Sequence, residues 1–192
     1  MIWNKSLLVD KIMKIGILDI QGSVEEHESA LSKIAEVETI FVKTVDDLQN
    51  IQGLIIPGGE STTIGKLLKR FGLDLEIKKR VDSGMVVWGT CAGAILLSDL
   101  GLIDVEIERN AYGSQLNSFE TGLDFDNKKI PGVFIRAPKI LEVGEGVEIL
   151  SKHNNHPVAV KQKNILLTTF HPELTDSMVV HEYFINMSKE KS

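Results

Sequence analysis

A chain of 192 residues with 43% hydrophobic, 25% charged and 6% aromatic residues has enough apolar material for a globular core and none of the bias of disordered or fibrous chains. Its net charge of -6 repels polyanions, which argues against nucleic acid as a partner, and no apolar run nears the roughly 20 residues that span a bilayer. The first residues, MIWNKSLLVDKIM, lack the charged start, long apolar middle and cleavage site of a secretory signal, so a cytoplasmic location is expected.

The regular pattern begins at Met13. Residues 1–12 fall outside it and read as an extension of unknown role, leaving 13–192 as one domain. Lys14 to Ile20 is an apolar strand, and Ser23 with Glu26 three residues on spells a capping box for a helix running to about Ala35. Thr39 to Val42 reads as a strand, Val45 to Asn50 as a short helix, and Gly53 to Ile56 as a strand ended by Pro57-Gly58-Gly59. Helices are expected over Ile64–Phe71 and Leu75–Val81, then a strand at Met85–Trp88 and a helix at Ala92–Leu97. Such alternation of apolar strands with helices implies a mostly parallel sheet covered on both faces. The second half changes character. Short strands at 105–109, 119–125, 133–135, 147–151, 157–161 and 165–170 precede a last helix near Ser177–Met187, so an antiparallel extension is expected on the α/β core.

The only cysteine, Cys91, sits in the stretch WGTCAGA. One thiol makes no internal disulfide and no structural zinc cluster, which leaves a small core residue or a reactive group. An apolar strand, then Gly-Thr-Cys-Ala-Gly, then a helix is the layout of a nucleophile elbow. Gly89 and Gly93, two residues either side of the thiol, suit a strained turn at a strand end where bulky neighbours would collide. The first turn of the helix adds unpaired N–H groups and a positive dipole end, both of which favour a thiolate.

A thiolate nucleophile needs a base, and the base needs an orienting group. Of five histidines, His27 and His181 lie within helices and read as surface or packing residues, while His153 and His156 in HNNH read as a polar turn and not a metal pair. His171 differs. It follows an apolar strand and precedes Pro172-Glu173, and in an extended segment the side chains at i and i+2 share a face, so His171 and Glu173 project together.

These residues resemble a known family. Cys91 in G-T-C-A-G with F-H-P-E-L some way downstream looks like the class I, triad-type glutamine amidotransferases, for which the resemblance implies a flavodoxin-like α/β three-layer sandwich and a Cys91-His171-Glu173 triad. Gly53 to Thr63, GLIIPGGESTT, is similar to the signature of one branch, the glutaminase subunits of pyridoxal 5'-phosphate synthase. Glu108-Arg109-Asn110 with Tyr112-Gly113, Ser118-Phe119-Glu120, and Phe134-Ile135-Arg136-Ala137-Pro138 match the same branch, over about Met13 to the end. The segment Ser98–Ile103 is shorter than in many members of that branch.

Glutamine carries a carboxylate, an ammonium and an amide, so its site needs a cation, an anion and donors for the oxyanion. Four arginines are available. Arg70 and Arg80 fall in lysine-rich helices and read as solvated, whereas Arg109 and Arg136 sit near strand ends, as substrate contacts or as structural ion pairs. The resemblance carries Arg109, Ile135 and Arg136 over as glutamine contacts, and Glu60 and Ser61 likewise, with Gly59 supplying backbone; Ser61 alternatively caps the next helix. The oxyanion hole is expected from the N–H of Gly59, or of Gly58, with that of Ala92. The resemblance further implies L-glutamine as substrate, no metal and no cofactor, and as partner a (β/α)8-barrel synthase subunit that uses the ammonia. Rival readings are a glutaminase of another pathway, such as the imidazole glycerol phosphate or anthranilate branches, a cysteine protein of the DJ-1 type, and a catalytically silent subunit. Glu60-Ser61-Thr62 after the double glycine argues against the first, and the His171-Glu173 pair against the second.

Overall fold

A computed structural model describes residues 12–109 and 118–190; residues 1–11 of the extension, and Asn110, Tyr112 and Gly113 of the matched motifs, lie outside the described residues. In chain order the elements are β1 (Met13–Leu18), α1 (Val24–Leu31), β2 (Val37–Val42), β3 (Gly53–Ile56), α2 (Ser61–Phe71), α3 (Leu73–Asp82), β4 (Val86–Thr90) and α4 (Ala92–Asp99). There follow β5 (Val105–Glu108), β6 (Phe119–Phe125), β7 (Lys128–Phe134), β8 (Lys139–Val143), β9 (Glu148–His153), β10 (His156–Gln162), β11 (Ile165–Thr168) and α5 (Val179–Lys189).

The apolar strands pair into a seven-stranded sheet of order β2-β1-β3-β4-β11-β10-β9. The first five run parallel, and β10 and β9 add antiparallel at one side. Two further pairs, β5 with β8 and β6 with β7, are antiparallel ribbons, so the expected extension is present. The strand β8 and most of β7 were not anticipated, because Lys128-Lys129 and Pro131-Gly132 mask the alternation on which a strand assignment relies.

Burial on both faces makes β1, β3, β4 and β11 almost continuously apolar. One face packs on α1 and α5 through Leu31, Trp88, Leu166, Phe184 and Ile185, all essentially inaccessible. The other face packs on α2, α3 and α4 through Leu54, Ile64, Leu68, Ile77, Val87 and Leu97. Helices over both faces of a mostly parallel sheet give the three-layer, flavodoxin-like arrangement. No helix among the described residues is long and apolar enough to cross a membrane.

Two local expectations change, and the polar turn expected at HNNH is present. Ser23 does precede α1, but its hydroxyl makes no capping bond; it donates instead to Glu173 Oε1 at 2.7 Å, where a buried carboxylate is the stronger acceptor. Arg80 is half-buried, with Nη2 donating to the Ile51 carbonyl at 3.2 Å, because the α3 stripe of Leu73, Ile77 and Val81 draws its stem against the protein. His153 and His156 are cross-strand partners either side of an Asn154-Asn155 turn whose φ angles, 48° and 65°, suit asparagine in a two-residue hairpin.

The elbow has little room. A Cβ at Gly89 would lie 2.6 Å from the Gly93 carbonyl, and one at Gly93 would lie 1.9 Å from the Ile56 oxygen of the neighbouring strand. Both obstacles are backbone, so they yield only if the strand and helix separate. We therefore expect Gly93→Ala to cost about 3 kcal/mol in urea unfolding. Gly122→Ala, where the added carbon meets nothing within 4 Å, should stay within about 0.5 kcal/mol of the parent; equal effects at the two glycines would contradict this account.

Candidate active site

Adjacent parallel strands release their carboxyl ends side by side, and that brings distant sequence together. Ile56 of β3 is opposite Gly89 of β4, and Thr90 of β4 is opposite Thr168 of β11. Consequently the turn Pro57–Glu60, the thiol of Cys91 and the ring of His171 all emerge at one edge. They surround a cavity of about 520 Å³, also lined by Ser61, Ala92, Arg109, Ile135 and Arg136. Of the residues chosen from sequence, only Glu173 is absent from that lining; its side chain is wholly buried behind His171.

Cys91 has φ 49° and ψ -104°, outside the regions a non-glycine residue ordinarily occupies. Its N–H donates to the Thr168 carbonyl at 2.9 Å, and its own carbonyl accepts from Ala94 at 3.1 Å as α4 begins. The conformation is thus held from both neighbouring elements, and it aims Sγ at the Ile135 carbonyl, 3.9 Å away. Arg136, next in the chain, also has positive φ, 45°.

His171 is not in an extended pair with Glu173. It has φ -109° and ψ 86°, and Pro172–Leu174 then forms one 3₁₀ turn with proline in its first positions, where a fixed φ and a missing N–H cost nothing. The turn still brings His171 Nδ1 to 2.7 Å from Glu173 Oε1. The His171 N–H is tied to the Val133 carbonyl of β7 at 2.8 Å, which fixes the ring from a second side.

Burial opposes a charge on His171, but the hydrogen bond to Cys91 and the Glu173 carboxylate outweigh it and push its pKa up to about 10. Burial also opposes a charge on Glu173; His27, His171 and the Ser23 hydroxyl overcome it and hold the acid at about 2. A Cβ at Gly58 would stand 2.5 Å from His171 Cε1 and 3.4 Å from Cys91 Cβ, so glycine there lets the turn approach both side chains.

Glu60 caps α2. Its carboxylate accepts from the N–H groups of Thr62 and Thr63 at 3.1 and 2.7 Å and from the Thr63 hydroxyl at 2.6 Å. Those bonds, Thr63's first, lower its pKa to about 2, so at neutral pH it presents an anion to the cavity. Arg109 donates to Asp99 and, at 3.4 Å, to the Ser61 hydroxyl.

Sequence reading missed contributors from the loop after β1 and from α1 and α5. Gln21 accepts the Glu60 N–H at 2.8 Å, and the Ser23 N–H donates to the Gly58 carbonyl at 3.0 Å, so the loop after β1 braces the glycine turn. Gly22, with φ 121°, permits that approach, since a Cβ would lie 1.9 Å from the Gly58 oxygen. His27 and His181 are fully buried, His27 beside Glu173 and His181 against His27. Their signal was periodicity: Val24, His27 and Leu31, and His181, Phe184 and Ile185, fall at helical spacing on inward faces. Among the described residues no group of three or more His, Cys, Asp or Glu is placed to hold a metal.

The ionised Glu173 stabilises the fold. Its folded pKa lies below the ordinary value of 4.5, so its contribution is complete above about pH 4.5 and is lost as pH falls through about 2. Glu173→Gln should therefore lower unfolding free energy at pH 7 by on the order of 3 kcal/mol, and the gap should narrow steadily below pH 4 in urea titrations. A gap that stays constant from pH 7 to pH 3 would contradict the assignment.

Known proteins resemble this chain over most of its length. Residues 17–190 match the model of the SNO glutamine amidotransferase family. The chain is 51% identical to the pyridoxal 5'-phosphate synthase subunit PdxT of Clostridium botulinum, over 91% of this chain and 97% of that one. It is 49% identical to the PdxT subunit of Pseudothermotoga lettingae, over 93% and 97%. A crystal structure of a glutamine amidotransferase superposes with a TM-score of 0.86 at 41% identity, covering 91% of this chain and 98% of the other. The chain belongs to the SNO glutamine amidotransferase family.

Proposed function

We propose that this chain hydrolyses L-glutamine to L-glutamate and ammonia and supplies the ammonia to a synthase that makes pyridoxal 5'-phosphate. The observation that carries the chemistry is the 2.7 Å contact of His171 with Glu173 beside a strained Cys91, in a cavity that also holds an anion and two arginines. The pathway rests on the roughly half-identical PdxT subunits.

In this reading the Cys91 thiolate attacks the side-chain amide carbon of glutamine. The N–H groups of Gly59 and Ala92 receive the developing oxyanion, and His171 gives a proton from Nε2 to the departing nitrogen. A γ-glutamyl thioester remains on Cys91. His171, now neutral, takes a proton from water, the hydroxide attacks the thioester, and glutamate leaves as the thiolate re-forms. Glu173 keeps the imidazole in its working orientation throughout. Glu60 meets the substrate ammonium, Arg109 and Arg136 its carboxylate, and Ser61 and Ile135 border the bound chain.

Ammonia in neutral water is mostly protonated and is then no nucleophile, so delivery requires a shielded route into a partner. The resemblance supplies that partner as a (β/α)8-barrel synthase subunit. A nucleophilic thiol works in a reducing compartment, which supports the cytoplasm as the location.

The test is glutamate release from glutamine with and without that synthase. Activity should rise with the partner and vanish in Cys91→Ala. His171→Asn should lose roughly 10³-fold in kcat, and Glu173→Ala less, because it orients and does not react. Turnover persisting in Cys91→Ala would sink the nucleophile, whereas stimulation by a different barrel and not by this synthase would overturn the pathway alone.

A further inference from the structure

Glu173 uses one oxygen twice and the other hardly at all. Oε1 accepts from His171 and from Ser23, both at 2.7 Å, while the buried Oε2 has no formed hydrogen bond among the described residues. Facing Oε2 at 3.5 Å is His27 Nε2, from α1. That nitrogen also lies 3.3 Å from the Thr90 hydroxyl, one residue before the nucleophile, and His27 Nδ1 lies 3.2 Å from His181 Nε2 of α5. Trp88 meets both rings edge-on, at 5.3 and 4.9 Å between centroids, so neither ring turns freely. A chain of side chains therefore runs from α5 through His181, His27, Glu173 and His171 to Cys91.

The protons on that chain are decided by elimination. If His27 carried its proton on Nδ1, it would donate to His181 Nε2, and His181 would bear an Nδ1–H that is buried with no acceptor. The lone pair of His27 Nε2 would then face the carboxylate. In the opposite tautomer His181 Nε2–H donates to His27 Nδ1, and His27 Nε2–H lies between the Thr90 hydroxyl at 3.3 Å and Glu173 Oε2 at 3.5 Å, leaving no buried N–H of the pair without an acceptor nearby. A doubly protonated His27 would bury a second imidazolium beside His171. The charged or titratable groups facing the pair are Glu173, His171 and Glu26 around His27, and Lys33 near His181. Burial keeps both rings neutral, lowering His27 and holding His181 at about 3.

We propose that His27 is a positioning residue for the reaction: as the neutral Nε2–H tautomer fixed by His181, it holds the second oxygen of Glu173 so that the first stays on His171. This rests on the glutaminase reading above. At 3.5 Å the contact is longer than a formed hydrogen bond, and it tightens when proton transfer draws on the carboxylate. A carboxylate held at both oxygens does not swing away from His171 when the imidazolium forms.

Two measurements test this. In ¹⁵N-histidine spectra of the wild-type chain between pH 6 and 8, His27 should be the neutral Nε2–H tautomer. In the complex with the synthase, His27→Leu, which keeps bulk and removes the donor, should lower kcat about 10-fold with KM for glutamine within about twofold. His27→Gln, whose amide N–H reaches the same place, should recover most of that loss, with active sites counted by Cys91 alkylation. An Nδ1–H tautomer, an imidazolium, or a glutamine variant as impaired as the leucine variant in an active enzyme would overturn the proposal alone. An inactive wild type that shows the Nε2–H tautomer would overturn the glutaminase reading, and the catalytic role of His27 with it.

Discussion

Cys91 is held at φ 49° and ψ -104° between the last residue of β4 and the first of α4, and the remainder of the site is arranged around that turn. A conformation of this kind costs on the order of 1–3 kcal/mol and survives only where the surroundings determine it. Here the determinants are the Thr168 carbonyl on one side, the opening turn of α4 on the other, and two glycines that let a helix and a neighbouring strand press against the elbow. The strain lifts the thiol out of the sheet and into the cavity mouth, where it meets a ring delivered by the next strand. Sheet order does the rest: β3, β4 and β11 are neighbours, so the Pro57–Glu60 turn, Cys91 and His171 arrive together without any long side chain having to reach.

A second constraint is electrostatic. A buried carboxylate beside a buried imidazole is costly to desolvate, and it is tolerated because Oε1 accepts from both Ser23 and His171, with His27 Nε2 3.5 Å from Oε2. These neighbours come from α1, α5 and the loop after β1, so both helices of one face of the sheet are linked to Glu173. Trp88, a core residue of β4, meets the His27 and His181 rings edge-on behind that carboxylate.

Much of this was legible in the sequence. The apolar runs of β1, β3, β4 and β11 pointed to a parallel core, the small residues around Cys91 to a tight turn, and the residues flanking Pro172 to a paired imidazole and carboxylate. The reason offered for the last pair was incomplete, since the two side chains meet across a 3₁₀ turn and not along an extended segment. Ser23 was misread because S-x-x-E at a helix start satisfies the capping pattern whether or not a stronger acceptor lies 150 positions away. His27 and His181 were passed over for a related reason. Composition marks a helix as polar, while burial follows the stripe of one residue in three or four, and the glutamates around His27 occupy the other faces of α1. Gln21 left no local signal at all, because its role exists only where two loops meet.

The central claim is that the Cys91 sulfur carries the reaction as a covalent intermediate. Acid quenching of the chain during turnover with glutamine and the synthase, followed by mass spectrometry of the Cys91 peptide, tests it most directly. The account predicts a γ-glutamyl group on that cysteine, removable by hydroxylamine as a thioester. Sustained glutamate release with Cys91 unmodified, or with the label on another residue, would contradict it.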